Sequence, residues 1–231
     1  MTRDDAVDAI MRRLANRTDT SNSLRNMIIA EMVMVIEENL EREPELPWFL
    51  LEEITNIVTV ADQEYLDLDA DLLMLWDEDG GGFWRQNSDG TETQLKIDDW
   101  DIVKAKFNAD TEAAATSTNA PTHGSVIANA LYMRPIPDDA YTIHYWQYGK
   151  DDTGDISGTY GDGNGGNTNL WLTHAAEWVI GEVGAIVASE IVRDNEAAGN
   201  FVAQAQRGRN RVMNKAVAIQ EILKARNLGE I

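Results

Sequence analysis

The sequence predicts an α+β protein, with an antiparallel helical bundle formed by N- and C-terminal helices and an inserted antiparallel β-rich domain. Three observations carry this. Apolar residues recur at helical spacing up to about Glu43 and again after Asn169. From Asn56 onward they come instead in short strand-like runs parted by turn residues. Seven glycines between positions 149 and 168 then close the strand-like region. The expected organisation is N-terminal helices over 1–55, a β-rich insertion with one short helix and a Gly-rich loop over 56–168, and a C-terminal helix pair with a tail over 169–231.

Residues 2–17 read as a short amphipathic helix with Val7, Ile10, Met11 and Leu14 on one side. The N-cap formers Asp19-Thr20-Ser21-Asn22-Ser23 follow. A second helix runs from about Ser23 to Glu43, its stripe made by Leu24, Met27, Ile28, Met32, Val35, Ile36 and Leu40, and Pro44 and Pro47 stop it. The apolar block Trp48-Phe49-Leu50-Leu51 is expected to form a plug between helices and sheet; were it exposed, it would be a partner site.

The middle begins with an expected hairpin: Ile57–Val60, a turn at Ala61–Glu64, and Tyr65–Leu68 returning. Leu72–Trp76, Phe83–Gln86 and Thr93–Ile97 are further short strands, with turns at Asp77–Gly82 and Ser88–Gly90. Asp98 is placed to cap a helix in which Trp100, Val103 and Phe107 share a side. Residues 109–123 are a polar loop rich in Ala and Thr. Val126–Met133 and Tyr141–Tyr148 read as the strongest strand pair, flanking a proline turn at Arg134–Asp139. The loop from Gly149 to Thr168 is too rich in glycine to hold one shape without help.

Two helices are predicted after it. One runs from Leu170 to Arg193 with Trp171, Ala175, Trp178, Val179, Val183 and Val187 on one side. Gly181 and Gly184 lie on it three residues apart, a costly choice in a helix that marks a flank where another backbone comes close. The other runs from Asn195 to Asn227 with Phe201, Ala205, Val212, Ala216, Ile219 and Leu223 as its stripe, and Leu228-Gly229 ends it. At ~1.5 Å per residue it is nearly 50 Å long, more than a small domain needs for its own core.

Charge separates this last segment from the rest. The chain carries a net −21, yet Arg193–Ile231 carries a net +3 and the remaining residues a net −24. An acidic body thus bears a mildly basic arm, which reads either as a solvated helix face whose Lys and Arg suit the helix dipole or as a docking arm. The acidity opposes non-specific nucleic-acid binding. With 43% hydrophobic residues and seven Trp the chain can bury a core, so it is no disordered acidic tail. It has no cysteine, which rules out disulfides and thiolate metal sites. No apolar run approaches the ~20 residues of a membrane span. The N-terminus, Met1-Thr2-Arg3-Asp4-Asp5, lacks a signal-peptide core, so a cytosol-like compartment is expected.

No chemistry of catalysis is legible. His123, His144 and His174 are far apart and fit no metal-binding helix. Asp151–Asn167 resembles a calcium loop in composition but lacks its spacing. Gly161–Gly166 has a phosphate loop's glycines without the lysine and hydroxyl that complete one. No nucleophile elbow is present, and paired carboxylates among 40 acidic residues carry no specificity. The expectation is therefore no catalytic site, no cofactor and no metal.

Several segments in this order resemble the head-to-tail adaptor, or connector, proteins of tailed bacteriophages. They are the helix from Leu24-Arg25 to Leu40 closing on Pro47-Trp48-Phe49, the stretch Val58-Thr59-Val60-Ala61-Asp62-Gln63-Glu64-Tyr65-Leu66-Asp67-Leu68, Leu131–Asp138 leading to Tyr141–Tyr145, and Asn169-Leu170-Trp171-Leu172. Asp62 stands where that family's turn usually carries a glycine. The resemblance implies a structural subunit of a dodecameric ring in the virion neck, made in the host cytoplasm. The ring would join the portal to a tail terminator, stopper or nozzle protein, and double-stranded DNA would pass through it without tight binding. The C-terminal segment would dock on the portal, with Arg207, Arg209, Arg211, Lys215, Lys224 and Arg226 as candidate contacts. The alternative is a salt-adapted acidic binding module or an enzyme of unrecognised class, with no ring at all.

Overall fold

In the computed structural model of the chain the described residues are 1–14, 22–76, 82–87, 89–107, 119–152 and 154–227, with the side chains of 216–227 outside the description. Among them are six α-helices: α1 (Arg3–Arg13), α2 (Asn22–Met34), α3 (Trp100–Phe107), α4 (Leu170–His174), α5 (Ala176–Ile186) and α6 (Asn195–Asn227). Nine strands lie between them: β1 (Leu51–Val58), β2 (Tyr65–Asp67), β3 (Leu72–Leu75), β4 (Phe83–Gln86), β5 (Glu92–Gln94), β6 (Lys96–Ile97), β7 (His123–Ile127), β8 (Ala130–Arg134) and β9 (Thr142–Gly149). The chain is thus mixed α+β with two sheets. It divides into two compact units, one of Met1–Leu50 with Lys150–Ile231 and one of Leu51–Gly149. The predicted cap at Asp19-Thr20-Ser21, the turn at Asp77–Gly81, most of the 109–123 loop and the helix stop at Leu228-Gly229 lie outside the described residues.

The helical unit is assembled by apolar stripes. Helix α1 starts from a capping box: the Thr2 hydroxyl accepts from the Asp5 N–H, and the Asp5 carboxylate accepts from the Thr2 N–H, each at 3.3 Å. Ala6, Val7 and Ile10 are its buried face. Helix α2 buries Leu24, Ile28, Ile29 and Met32, then widens into a π-type turn, Val35–Leu40, which brings Val35, Ile36 and Leu40 inward as well. Of the predicted stripe only Met27 stays exposed; its other members are buried. The helix expected from Leu170 to Arg193 has the right span but is broken. Asn169 caps α4 by accepting from the Leu172 N–H at 2.9 Å. Ala175, at φ −126° and ψ 21°, interrupts it before α5 begins. A second π-type turn, Val187–Val192, follows α5 and ends at Arg193 in the left-handed conformation. Helix α6 has the predicted bounds.

In the other unit, β9 organises one sheet. It pairs with β1 along one edge, Leu51 opposite Tyr148 and Val58 opposite Thr142, and with β4 and β3 along the other. Strand β5 extends the sheet from β4, and the second sheet has the order β2-β8-β7-β6. Leu66, Leu68, Phe83, Leu95, Leu131, Met133, Ile143 and Tyr145 form the core. Alternation along β9 puts Ile143 and Tyr145 inward. The chain changes sheets at buried Leu95, whose N–H bonds to the Phe83 carbonyl at 2.8 Å between β5 and β6. The predicted helix after Asp98 is α3, with Val103 fully buried.

Two predicted pairings are corrected. No hairpin joins Val58 to Leu68: β1 pairs with β9, whereas β2 pairs with β8 in the other sheet. Asp62, at φ 62°, turns the chain between them, and its N–H bonds to the Pro137 carbonyl at 2.8 Å. That is a conformation glycine adopts freely and aspartate tolerates. Nor is Val126–Met133 one strand paired with Tyr141–Tyr148. It contains the β7–β8 hairpin, turned at Ala128 (φ 52°) and Asn129, while β9 belongs to the other sheet.

Candidate docking surfaces of the helical unit

Helices α5 and α6 lie backbone to backbone, and three glycines set how closely. A Cβ built on Gly181 would stand 2.3 Å from the Ala205 nitrogen, and one on Gly208 2.5 Å from the Trp178 nitrogen. One on Gly184 would stand 2.3 Å from the Phe201 ring. Phe201, Ala205 and Val212 fill the seam from α6, and Trp178, Val179 and Val183 from α5. The flank inferred from Gly181 and Gly184 is therefore real, and Gly208 answers it from the other helix.

This packing decides what the basic residues of α6 can reach. Positions 207, 209 and 211 alternate, so they point in different directions around the helix. Arg209 is half-buried, pairs with Glu43 at 3.3 Å and lies 5.8 Å from the centre of the Trp178 ring. Arg211 pairs with Glu177 at 2.6 Å. The ammonium of Lys215 sits 4.3 Å from the centre of the Trp48 ring, a cation–π contact. Trp48 in turn leans on His174, with Phe49 packed edge-on against Trp171, so both rings pack within the helical unit, while Leu51 begins β1 in the other unit. Burial, with Lys215 nearby, lowers the His174 pKa from its usual value. Arg207 is exposed and makes no hydrogen bond or ion pair among the described residues. It borders a groove of about 390 Å³ with Arg13, Glu177, Asn200, Phe201 and Gln204. Lys224 and Arg226 are on α6, their side chains outside the description.

Sequence reasoning missed what holds the Gly-rich loop. Arg3, fully buried, is clasped by it. Its guanidinium donates to the Ser157 carbonyl at 2.6 Å, the Thr159 carbonyl at 3.1 Å, and both oxygens of Asp162 at 2.9 and 3.4 Å. Asp162 also accepts the Thr159 and Asn164 N–H groups. Arg3, then those amides, hold the Asp162 pKa far below the ordinary carboxylate range. Backbone bonds from Arg3 to Asn167 and from Asp4 to Gly165 complete the clasp. Tyr160 adds a bond from its hydroxyl to Asp8 at 3.0 Å and lies under Arg25.

Glu41, just after the π-type turn, is a second unforeseen group. It is 6% exposed and accepts only from the Asp151 N–H at 3.3 Å and the Trp171 indole at 3.4 Å. Burial raises its pKa. The folded protein therefore binds this proton more tightly than the unfolded chain, so Glu41 costs stability at neutral pH and the cost fades as pH falls. Glu41→Gln keeps both acceptor bonds and removes the charge. It is expected to raise the midpoint of thermal unfolding near pH 7, with the advantage shrinking as pH falls through the raised pKa toward the ordinary carboxylate range.

The remaining chemistry is sparse. Among the described residues no group of three or more His, Asp or Glu side chains is placed to hold a metal ion. His144 lies between Glu53 and Glu92, at 3.6 and 3.2 Å. None of the described helices is long and apolar enough to cross a membrane. The family model for the SU10 adaptor protein matches residues 1–224. The chain belongs to that phage adaptor family. The adaptor is accordingly a bacteriophage structural protein and a component of the virion. No curated protein gives a significant match to it.

Proposed function

We propose that this adaptor is one subunit of a ring, a dodecamer on the family resemblance, that joins the portal to a tail terminator, stopper or nozzle protein and forms part of the DNA channel. Its helical unit is an antiparallel bundle from which the far part of α6 reaches the portal. The observation that carries this reading is α6 in an adaptor-family chain. It runs 33 residues, while the partner α5 with its π-type turn, Ala176–Val192, is about half as long. Since Arg209, Arg211 and Lys215 already have partners in the subunit, and Arg207 lies back along α6 in a groove shared with Arg13 of α1, the portal contacts fall to Lys224, Arg226 and the tail beyond. The acidic surplus of the body faces the passing duplex, so phosphates are repelled rather than held.

Electron microscopy of the purified adaptor mixed with portal rings tests this. Stacked double rings are expected. An adaptor that stays a single chain beside intact portal rings would reject the assembly, and a neutral or basic lumen in the resulting map would reject the role given to the carboxylates.

A further inference from the structure

We propose that the groove between Arg13 and Arg207 is the socket for an acidic peptide segment of a neighbouring copy of this chain. The inference rests on the ring reading above. Two independent features point to a ligand. The first is a pair of cations without a job inside the subunit. Arg13 ends α1 and Arg207 lies on α6; both are exposed, and neither has a hydrogen bond or ion pair among the described residues. The carboxylate in the groove is spoken for, since Glu177 pairs with Arg211 at 2.6 Å.

The second feature is Gln204 on the groove wall. The residue is 5% exposed, and its amide oxygen has no hydrogen-bond donor among the described residues. A buried acceptor left without a donor costs roughly 1–3 kcal/mol, which a ligand N–H would recover. The groove therefore asks for carboxylates for the two arginines and an N–H for the Gln204 oxygen. An acidic stretch of polypeptide has both, and guanidinium forks suit its carboxylates. A phosphodiester has only acceptors to set against the Gln204 oxygen, and a chain of net −21 repels nucleic acid.

The copy is favoured as the source because the chain itself is the acid-rich partner at hand. Outside Arg193–Ile231 it carries a net −24. A ring closing by rotation needs two different, complementary faces on each subunit, and a basic socket on an acidic protein supplies one.

A photo-crosslinking residue placed at Asn200, in the assembled adaptor–portal complex, tests the source. Crosslinks into an acidic segment of another adaptor copy are expected. Crosslinks to portal protein instead overturn the proposal while leaving the portal-adaptor reading intact. In parallel, Arg13→Glu with Arg207→Glu is expected to raise the concentration needed for half-assembly by about tenfold or more, an effect that shrinks in high salt. Arg13→Gln with Arg207→Gln serves if the reversal fails to fold. Rings that form equally well with either pair overturn the socket but not the ring. A wild-type chain that never assembles, with portal or without, overturns both.

Discussion

Gly181→Ala and Gly208→Ala should each destabilise the helical unit by about 3 kcal/mol, although alanine is the better helix former. Ordinarily the exchange helps: Gly→Ala in a helix interior is worth roughly 0.5–1 kcal/mol. Here the added methyl would lie 2.3 Å from the Ala205 nitrogen in one case and 2.5 Å from the Trp178 nitrogen in the other. Those are backbone atoms and cannot swing aside. The helices must separate, and the overpacking cost of a few kcal/mol far exceeds the propensity gain. Gly199 is the internal control. It is also within α6, but a Cβ there meets nothing within 4 Å. Gly199→Ala should stabilise by about 1 kcal/mol. Chemical denaturation of the three variants decides the matter. Equal stabilisation in all three would mean that the α5–α6 seam is looser than described.

The second large effect is expected at Arg3. Arg3→Met keeps the volume of the stem but removes every guanidinium bond to the loop. Losing one member of a buried ion pair and its hydrogen-bond network typically costs about 3–5 kcal/mol. Asp162 keeps some access to water, so about 3 kcal/mol is expected. Arg3→Lys should recover little, because an ammonium cannot reach the Ser157 and Thr159 carbonyls and the Asp162 carboxylate in the planar fork that the guanidinium offers. The direction of the pH effect follows from Asp162. Its folded pKa lies below the unfolded one, so its contribution is fully present above about pH 4 and is lost as pH falls further. In Arg3→Met that acid-sensitive share should shrink, since Arg3 is the largest cause of the lowered pKa. Limited proteolysis gives a second readout: cuts between Gly154 and Asn167 should appear early in the variant. A loop as protease-resistant without Arg3 as with it would refute the clasp.

What could be read in advance divides along the lines of local and distant information. The bounds of α6 and the flank marked by Gly181 and Gly184 follow from residues near each other in sequence. The partner of β1 does not. Leu51 meets Tyr148, nearly the whole Leu51–Gly149 unit away, and nothing in the alternation of Ile57 and Val58 says which strand they join. The Ala128 turn was hidden because alanine gives no turn signal, although its backbone takes the left-handed form. Phe83–Gln86 was found as a strand, but the passage of the next strand from one sheet to the other at Leu95 has no compositional mark. Among the candidate contacts, the alternation of Arg207, Arg209 and Arg211 showed that they could not act as one face. It could not show that Glu43 and Glu177 wait for two of them. Arg3 is a lone basic residue in an acidic stretch, and its counterpart lies 159 positions on.

The helical unit is drawn from both ends of the chain, Met1–Leu50 and Lys150–Ile231. Translation proceeds at about 5–20 residues per second, so α1 and α2 leave the ribosome roughly ten seconds before α5 exists. Through that interval Val7, Ile10, Ile28 and Met32 have no finished core to enter. The Leu51–Gly149 unit, contiguous in the chain, can fold during the wait. The apolar faces of α1 and α2 therefore stay uncovered until the chain has passed Gly149 and the sequence of α5 has been made.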